Sequence, residues 1–275
     1  MKIDGKQISA ELIEDLQKRV KNLRERKTIP HLYIITFGKN PQTESYLKQK
    51  MLKGEFIGAK ITIKRFNKNV DQSQILKLIE NLNNDKNVHG IIVQRPLPKQ
   101  IDGEKVSFAV MSNKDVDGFH PHSVFHSPVG LSVIKLIETT INNNDIHSLL
   151  KSKKIVLIGK GITAGKPIIN LFHKLGVQPL IIDTKTRGKQ KILKSADIII
   201  SSVGKKIIGK NDIKKGAILI GVGVHVVDGK LKGDYIEGEI ENKASFYSPT
   251  PGGVGPVNVS MLMKNLVEAA ENQNH

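Results

Sequence analysis

Apolar residues along the chain alternate between short β-branched runs and longer stretches with helical spacing. Short runs rich in Ile, Val and Leu are typical of buried strands, whereas apolar residues three and four positions apart predict a helix with one buried face. In the first half, these patterns predict strands at 31–37, 61–66 and 88–94, and helices at 41–58 and 72–82. This strand–helix order predicts an α/β fold with a parallel sheet covered by helices.

The second half repeats this alternation and adds a glycine-rich turn after its first strand. The predicted elements are strands at 154–158, 179–183, 196–201 and 217–222, and helices ending near 175 and spanning 256–273. The last helix would place four apolar residues on one side, namely Val259, Met263, Leu266 and Val267. Weak linker signals lie at 123–128 and 249–256, so the pattern favours two domains rather than one.

The N-terminal segment predicts a surface helix with one apolar face, formed by Ile8, Leu12, Ile13 and Leu16. It lacks the apolar core of a secretory signal, and no apolar stretch approaches the ~18 residues of a membrane span. The chain has no cysteine, which excludes disulfides, a thiol nucleophile and cysteine-based metal sites. We therefore expect a cytoplasmic protein with no membrane partner and no metal site.

The formal net charge of +17 raises the question of nucleic-acid binding. Most of the basic residues are Lys, whereas Arg is the better reader of base edges. Aromatic residues make up 4% of the chain and Trp is absent, so stacking platforms for single strands are scarce. We expect no specific nucleic-acid partner, and polyanionic small molecules would suit the same positive field.

The glycine-rich turn at 159–165 (GKGITAG) follows a predicted strand and precedes a predicted helix. In that setting Gly159 allows a tight turn, Gly161 lets the backbone approach a pyrophosphate, and Gly165 opens the helix whose N–H groups face the anion. Glycine-rich turns also occur for structural reasons alone, and the spacing here is one residue longer than the usual fingerprint. The flanking strand and helix favour a dinucleotide site that includes Lys160.

The residue that ends the next strand bears on which nicotinamide dinucleotide binds. An acidic residue there, Asp183, normally bonds the ribose 2′-hydroxyl and favours NAD. Other residues in or near the same region of the sequence would suit the 2′-phosphate of NADP, namely Lys160, Thr184, Lys185 and Arg187. We expect NADP, with NAD as the alternative, although Asp183 is also compatible with a strand-end residue that faces solvent.

Four further stretches resemble, in order, signatures of the bifunctional methylenetetrahydrofolate dehydrogenase/cyclohydrolase family. They are 46–50 (YLKQK), 90–98 (GIIVQRPLP), 114–120 (KDVDGFH) and 251–257 (PGGVGPV). Each alone has an ordinary explanation: Lys50 as a surface lysine, Asp117 as a turn residue, or Gln94 as the end of a strand. The joint pattern, with the glycine-rich turn, identifies the chain as a member of that family.

The resemblance implies roles for the matching residues. Lys50 would be the central catalytic group, Gln94 its hydrogen-bonding partner, and Tyr46 a catalytic-site residue that stacks on the folate ring. Asp117 would anchor the amino edge of the pterin, since a carboxylate accepts two hydrogen bonds from such an edge. A lysine assists proton transfer near neutral pH only if burial lowers its pKa. Further substrate-binding residues implied by the match are Gly252, Gly253 and Pro256.

The resemblance also implies the fold and the activity. Residues 1–125 and 256–275 would form a folate-binding catalytic domain with the C-terminal helix packed on it, and 126–255 a Rossmann-like domain. The protein would be a homodimer of one-carbon metabolism and purine biosynthesis, oxidising methylenetetrahydrofolate and hydrolysing the methenyl product. The alternatives are a monofunctional member of the family, or another two-domain nicotinamide dehydrogenase lacking the Tyr46, Lys50, Gln94 and Asp117 set.

The sequence departs from the family pattern mainly on the cofactor side. Lys160-Gly161 stands where the family usually has Arg-Ser, and Asp183-Thr184 where it has His-Ser. Gly221 replaces a common Asp, and 122–130 (HSVFHSPVG) replaces two usual runs. We therefore expect an intact pterin site beside a divergent cofactor site.

Overall fold

The chain divides into two compact units in a computed structural model that describes residues 1–141 and 145–273. One unit, here the three-stranded unit, comprises Ala10–Pro128 and Val259–His275, and the other, the five-stranded unit, comprises Met1–Ser9 and Val129–Asn258. The predicted two-domain α/β fold is confirmed. The sequence-based domain limits differ in that they assign residues 1–9 to the folate-binding domain, whereas these residues group here with the five-stranded unit. The sequence-based limits stay a prediction.

The predicted helices and strands are all present, and the structure adds further elements that were not predicted. The helices are α1 (Gly5–Glu25), α2 (Pro41–Ile57), α3 (Gln72–Asn84), α4 (Gly103–Ala109), α5 (Pro128–Glu138), α6 (Ile146–Ser152), α7 (Gly165–Lys174), α8 (Lys189–Ser195), α9 (Glu237–Ile240) and α10 (Val254–Asn272). The strands are β1 (His31–Phe37), β2 (Lys60–Phe66), β3 (Gly90–Val93), β4 (Ile155–Ile158), β5 (Leu180–Ile182), β6 (Ile198–Ser201), β7 (Ile218–Gly221), β8 (His225–Val227), β9 (Lys230–Lys232) and β10 (Phe246–Tyr247). A short 3₁₀ helix lies at Lys210–Asp212. The helices and strands that were not predicted are α4, α5, α6, α8, α9, β8, β9 and β10.

The sheet of the three-stranded unit has the order β2-β1-β3, and both pairings are parallel. β1 is the central strand and is almost wholly buried, which explains its continuous apolar run. Beyond the end of β3, the Gln94 N–H donates to the Ile35 carbonyl at 2.8 Å. This bond extends the pairing by one residue, so the segment after β3 leaves the sheet from a defined position.

The C-terminal helix packs into the core of the three-stranded unit. Its predicted apolar residues Val259, Met263, Leu266 and Val267 are all buried, and the last three share a cluster with residues of α1. The buried Asn265 side chain donates at 2.9 Å to the carbonyls of Val116 and His126. The helix therefore also holds the loop that carries Asp117. On α1, Ile8, Ile13 and Leu16 are buried as predicted, whereas Leu12 is partly exposed.

The five-stranded unit has the parallel order β10-β7-β6-β4-β5. The antiparallel hairpin of β8 and β9 was not predicted; its turn places Asp228 and Gly229 at positive φ of 51° and 70°. Helix α5 was also missed, because the Pro at its start was interpreted as part of a linker. Pro suits the first turn of a helix, where its missing N–H is not needed. No helix in the described ranges is long and apolar enough to cross a bilayer.

Candidate active site

Lys50 lies inside the protein, on helix α2. Its relative exposure is 8%, so the interpretation of Lys50 as an ordinary surface lysine is excluded. Tyr46 lies one turn earlier on the same helix and is half-buried. Burial raises the pKa of the Tyr46 hydroxyl, which keeps that hydroxyl neutral. Side chains four residues apart share a helix face, as the sequence predicts for this pair.

Gln94 is the hydrogen-bonding partner of Lys50. The Lys50 amine donates to Gln94 Oε1 at 2.8 Å. The other end of the amide is also held, because Gln94 Nε2 donates to the Arg95 carbonyl at 3.0 Å. The carbonyl oxygen of Gln94 therefore faces the amine, and the partner positions Lys50 without adding a charge.

Asp117 lies in a loop fixed from several sides. Asp115 accepts the His120 N–H at 2.7 Å, and the Lys114 amine donates to the carbonyls of Leu82 and Asp85 at 3.0 and 2.7 Å. Gly118 has a φ of 73°, a conformation that favours glycine. Across residues 1–141 and 145–273, no hydrogen bond reaches the Asp117 carboxylate. Both of its oxygens are available to a ligand.

Burial shifts both charged groups of this site toward their neutral forms. The pKa of Lys50 falls because burial disfavours its charge, and the nearby Asp117 carboxylate opposes that change. The pKa of Asp117 rises because of burial, and the cations of Lys50 and Arg95 oppose that rise. Shifts of this origin are typical of groups that move protons or bind ligands near neutral pH.

Two basic residues of the three-stranded unit, Arg95 and Lys53, were not predicted to have a role. The Arg95 guanidinium carbon lies 4.6 Å from the centre of the Phe119 ring. Burial lowers the pKa of Lys53 to about 8, and its amine donates to Ser260 Oγ at 2.8 Å. The one signal in the sequence was a basic residue among apolar neighbours. This signal is clear for Arg95, which lies between the apolar run of β3 and Pro96-Leu97-Pro98, and weak for Lys53, because the chain is rich in lysine.

The glycine-rich turn has the geometry expected for a dinucleotide. Gly159 has a φ of 89°, and a Cβ on Gly165 would collide with the Gly159 carbonyl. A Cβ on Gly161 would meet no atom within 4 Å, so open space lies against this glycine. No side chain caps the N-terminus of α7 after Ala164. The residues present therefore fit a pyrophosphate held against backbone N–H groups.

Lys160 and Asp183 form an ion pair in this turn region, with Nζ and Oδ2 2.9 Å apart. The Asp183 carboxylate also accepts the Lys185 N–H at 2.9 Å and the Thr186 hydroxyl at 3.1 Å. Its bond with Lys160 is the main reason that its pKa falls to about 2. Asp183 is thus held by partners, and Thr184 is exposed beside it.

A third residue that was not predicted, Asp234, organises the loops that follow β6 and β7. Its fully buried carboxylate accepts the N–H groups of Gly204, Lys205 and Gly223 at 2.7, 3.0 and 3.1 Å. These loops leave the carboxyl ends of parallel strands, where α/β sheets bind ligands. The sequence offered only a Gly-Asp pair, which is also typical of a turn.

Two further sequence-predicted features lie in the five-stranded unit. At Gly221, where the family usually has Asp, a Cβ would meet the Tyr235 ring at 3.2 Å, so Tyr235 fills that space. Gly252 has a φ of 104°, Gly253 is buried and Pro256 lies in the first turn of α10. By residue assignment these three belong to a different unit from Lys50, and their substrate-binding role stays a prediction.

Known proteins match this chain along its whole length. The family model for the tetrahydrofolate dehydrogenase/cyclohydrolase catalytic domain matches residues 3–117, and that for the NAD(P)-binding domain matches residues 129–274. The bifunctional protein FolD of Exiguobacterium sp. is 37% identical over 273 residues, which cover 98% of each chain.

Solved structures agree with this match. The bifunctional FolD enzyme of Campylobacter jejuni has a TM-score of 0.92 and 33% identity, with 99% of each chain covered. A Trypanosoma brucei FolD structure, complexed with NADP cofactor and inhibitor, has a TM-score of 0.89 and 25% identity, with 100% of this chain and 98% of that chain covered. The chain therefore belongs to the tetrahydrofolate dehydrogenase/cyclohydrolase family.

Proposed function

We propose that this protein oxidises 5,10-methylenetetrahydrofolate with a nicotinamide cofactor and hydrolyses the methenyl product to 10-formyltetrahydrofolate. The observation that carries the proposal is the buried Lys50 amine, held 2.8 Å from Gln94 Oε1 and subject to the charge of Asp117. A neutral amine in this position takes or gives a proton near the operating pH, which is what the hydrolytic step requires.

Tyr46 and Asp117 would bind the folate. Tyr46 presents a neutral ring for stacking on the pterin, next to Lys50 along the helix. The Asp117 carboxylate, which has no hydrogen-bonding partner among the described residues, would accept two hydrogen bonds from the amino edge of the pterin. The folate bridge would then lie near the Lys50 amine.

In the oxidation, a hydride leaves the methylene bridge and the folate becomes a delocalised methenyl cation. The nicotinamide group supplies the hydride acceptor when it is bound. Gly159, Gly161 and Gly165 would hold the dinucleotide by its pyrophosphate. The protein's own residues orient the folate in this step, and no proton donor is needed for it.

In the hydrolysis, a water oxygen forms a bond to the methenyl carbon while neutral Lys50 takes a proton from that water. The bond from this carbon to one ring nitrogen then breaks, and Lys50 returns the proton to that nitrogen. The formyl group remains on the other nitrogen, and one proton is released to solvent overall. Gln94 keeps the amine directed toward the reacting carbon throughout.

The cofactor is proposed to be NADP. Lys160 supports this choice because it is 63% exposed and can turn from Asp183 toward a 2′-phosphate, with Lys185 and Arg187 close in sequence. The ionised Asp183 opposes it and would suit the 2′-hydroxyl of NAD. Comparing the oxidation rates with NADP and with NAD shows whether Lys160 or Asp183 determines the choice of cofactor.

The protein is further proposed to work as a homodimer in the cytoplasm, where its product serves purine biosynthesis. One feature that supports self-association is the edge strand β5, on which Leu180 and Ile181 are 47% and 39% exposed. Unpaired edge strands with apolar side chains readily pair with a second copy. Sedimentation equilibrium of the purified chain measures this directly, and a monomer at micromolar concentration would contradict it.

Two spectroscopic assays of the purified protein test the activities separately. In the first, methylenetetrahydrofolate is supplied with NADP or NAD and the formation of reduced cofactor is followed. In the second, methenyltetrahydrofolate is supplied and its loss is followed. The proposal requires both reactions. Activity in one assay alone would identify a monofunctional enzyme, and activity in neither would favour a different two-domain dehydrogenase.

A further inference from the structure

Arg95 is a charged residue in an apolar setting, held by three kinds of contact. Its guanidinium lies over the Phe119 ring, and Nη2 donates to Ser107 Oγ at 3.1 Å and to the Gly103 carbonyl at 3.4 Å. Burial lowers its pKa, yet an arginine remains protonated in proteins. Arg95 is therefore a permanent positive charge with a fixed position.

This charge shares a small cavity with Asp117, which lies two residues before Phe119. The charged groups that act on the Asp117 carboxylate are Lys50 from α2 and Arg95 from the segment after β3. From its own loop, the Asp115 carboxyl lines the same cavity and also interacts with Asp117, since burial together with the charge of Asp117 raises the pKa of Asp115 to about 6. Helix α4 contributes the neutral Ser107, while its charged residues Glu104 and Lys105 are exposed.

The proposed chemistry makes contradictory demands on the charges of Lys50 and Asp117. Lys50 must be neutral when it accepts a proton from water, whereas Asp117 must be ionised to accept two hydrogen bonds from the pterin. A buried carboxylate whose only counter-charge disappears tends to take up a proton itself, since burial disfavours the unpaired charge. A second cation that never titrates removes this conflict.

We propose that Arg95 is a positioning residue that keeps Asp117 ionised, so that folate anchoring is independent of whether Lys50 carries a proton. This role rests on the proposed function for the anchoring of folate, but the charge relationship itself belongs to the ligand-free protein. It is a property of this chain's Q-R-P segment, in which Arg95 stands between Gln94 and Pro96.

The charge relationship is tested by ¹³C NMR titration of the Asp117 carboxyl carbon in ligand-free protein, assigned by comparison with Asp117→Asn. Arg95→Gln keeps hydrogen-bonding groups but removes the charge, and it should raise the titration midpoint by about one pH unit or more, since a full charge within roughly 12 Å has at least that effect at an effective dielectric near 20. Arg95→Lys should restore the original midpoint. Lys105→Leu, which removes an exposed charge on α4, should leave it unchanged.

A second variant keeps the test decisive if Arg95→Gln fails to fold. In Lys50→Met, Arg95 is the remaining cation, so Asp117 should still be ionised at pH 7. An Asp117 that is protonated at pH 7 in Lys50→Met would overturn the proposal, as would an unchanged midpoint in folded Arg95→Gln.

The link to folate is tested with 5-formyltetrahydrofolate as a probe, by measuring its affinity from pH 5 to 8. In Arg95→Gln the loss of affinity at low pH should begin about one pH unit higher than in the wild type, a shift set by the same charge effect. A uniform loss at every pH would indicate a packing role and overturn the proposal. If the wild type does not bind the probe while the NMR midpoints shift as expected, the proposed function fails and the charge relationship stands.

Discussion

Each unit of this protein contains a lysine and an aspartate that influence one another, and the two pairs differ in burial. In the three-stranded unit, Lys50 is 8% exposed, and burial moves the pKa values of Lys50 and Asp117 toward neutrality. In the five-stranded unit, Lys160 is 63% exposed, and its bond lowers the pKa of Asp183 to about 2.

The same two residue types therefore serve different chemistry. A buried pair is costly to keep charged, so burial moves the pKa of each member toward neutrality; this suits Lys50 to proton transfer and makes the charge of Asp117 depend on neighbouring cations. An exposed pair is screened by water, so it offers charge and hydrogen bonds to a ligand at little cost. Variants of the buried and exposed pairs should therefore differ in the size of their effects.

Replacing Lys50 should have the largest effect on activity. Lys50→Met keeps most of the aliphatic length and removes the amine, so the protein should fold. Methenyltetrahydrofolate hydrolysis should fall by about 10²–10⁴-fold, the usual worth of general acid–base assistance. The oxidation should lose less, because hydride transfer needs no proton donor. The matched control is Lys48→Met, an exposed position on the same helix. Full hydrolysis by folded Lys50→Met would refute the catalytic role.

Replacing Asp117 should weaken folate binding. Asp117→Asn puts a donor where the pterin amino group also donates. The affinity for folate should fall by about 1–3 kcal/mol, the cost of a mispaired buried polar group. Calorimetric titration with 5-formyltetrahydrofolate measures this, and circular dichroism checks the fold. An unchanged affinity in the folded variant is incompatible with an anchoring role.

Acid should destabilise the three-stranded unit through His89. The buried His89 Nδ1 accepts the His31 N–H at 3.2 Å, which requires a neutral ring, and burial lowers its pKa from 6.5 to about 4. The unfolded chain binds more protons between these values. The stabilising contribution is therefore complete above pH 6.5 and is lost as the pH falls toward 4.

The matched variant for this effect is His89→Asn, whose side-chain oxygen accepts the same backbone bond without titrating. Between pH 7 and pH 5 the wild type should lose about 2 kcal/mol more stability than the variant, by proton linkage. Urea unfolding at the two pH values measures the difference. Equal losses in the two proteins would mean that His89 is already free to take a proton in the folded state.

The smallest effect should come from the exposed pair. Lys160→Ala should lower the specificity constant for NADP about 2–5-fold, since exposed charge pairs contribute little, and should leave that for NAD nearly unchanged. Lys194→Ala, an exposed position on α8, is the control. If NAD has the higher specificity constant and Lys160→Ala does not alter that for NADP, the proposed preference is wrong and Asp183 acts as the ribose ligand.

The sequence was sufficient to predict the features that depend on local pattern. Parallel strands such as β1 and β4 were found because their apolar runs have the length and β-branched content of buried strands. Lys50, Gln94 and Asp117 were selected by resemblance. In the structure Lys50 donates a hydrogen bond to Gln94, and the charges of Lys50 and Asp117 act on each other's pKa. Helix α4 was missed because its seven residues are too few to show a helical spacing. Helix α5 was missed because it begins at Pro128, a residue that also suits a linker.

Other features depend on contacts between distant residues and leave little trace in the sequence. The pattern of apolar and polar residues does not show that Lys50 is buried whereas Lys48, two residues earlier, is exposed. Arg95 has its position because Ser107 and Phe119 surround it, and Asp234 because three N–H groups from two other loops converge on it. In each case tertiary packing, not local propensity, decides what the side chain does.

The titration of the Lys50 amine in the ligand-free protein tests the central claim most directly. Lysine side chains labelled with ¹³C or ¹⁵N are followed by NMR from pH 6 to 11, and Lys50 is assigned by its absence in Lys50→Met. Burial beside Gln94 predicts a pKa below the ordinary value of 10.5, displaced in the direction of neutrality. A Lys50 that titrates at the ordinary value of 10.5 would contradict the claim that burial makes this lysine an acid–base group.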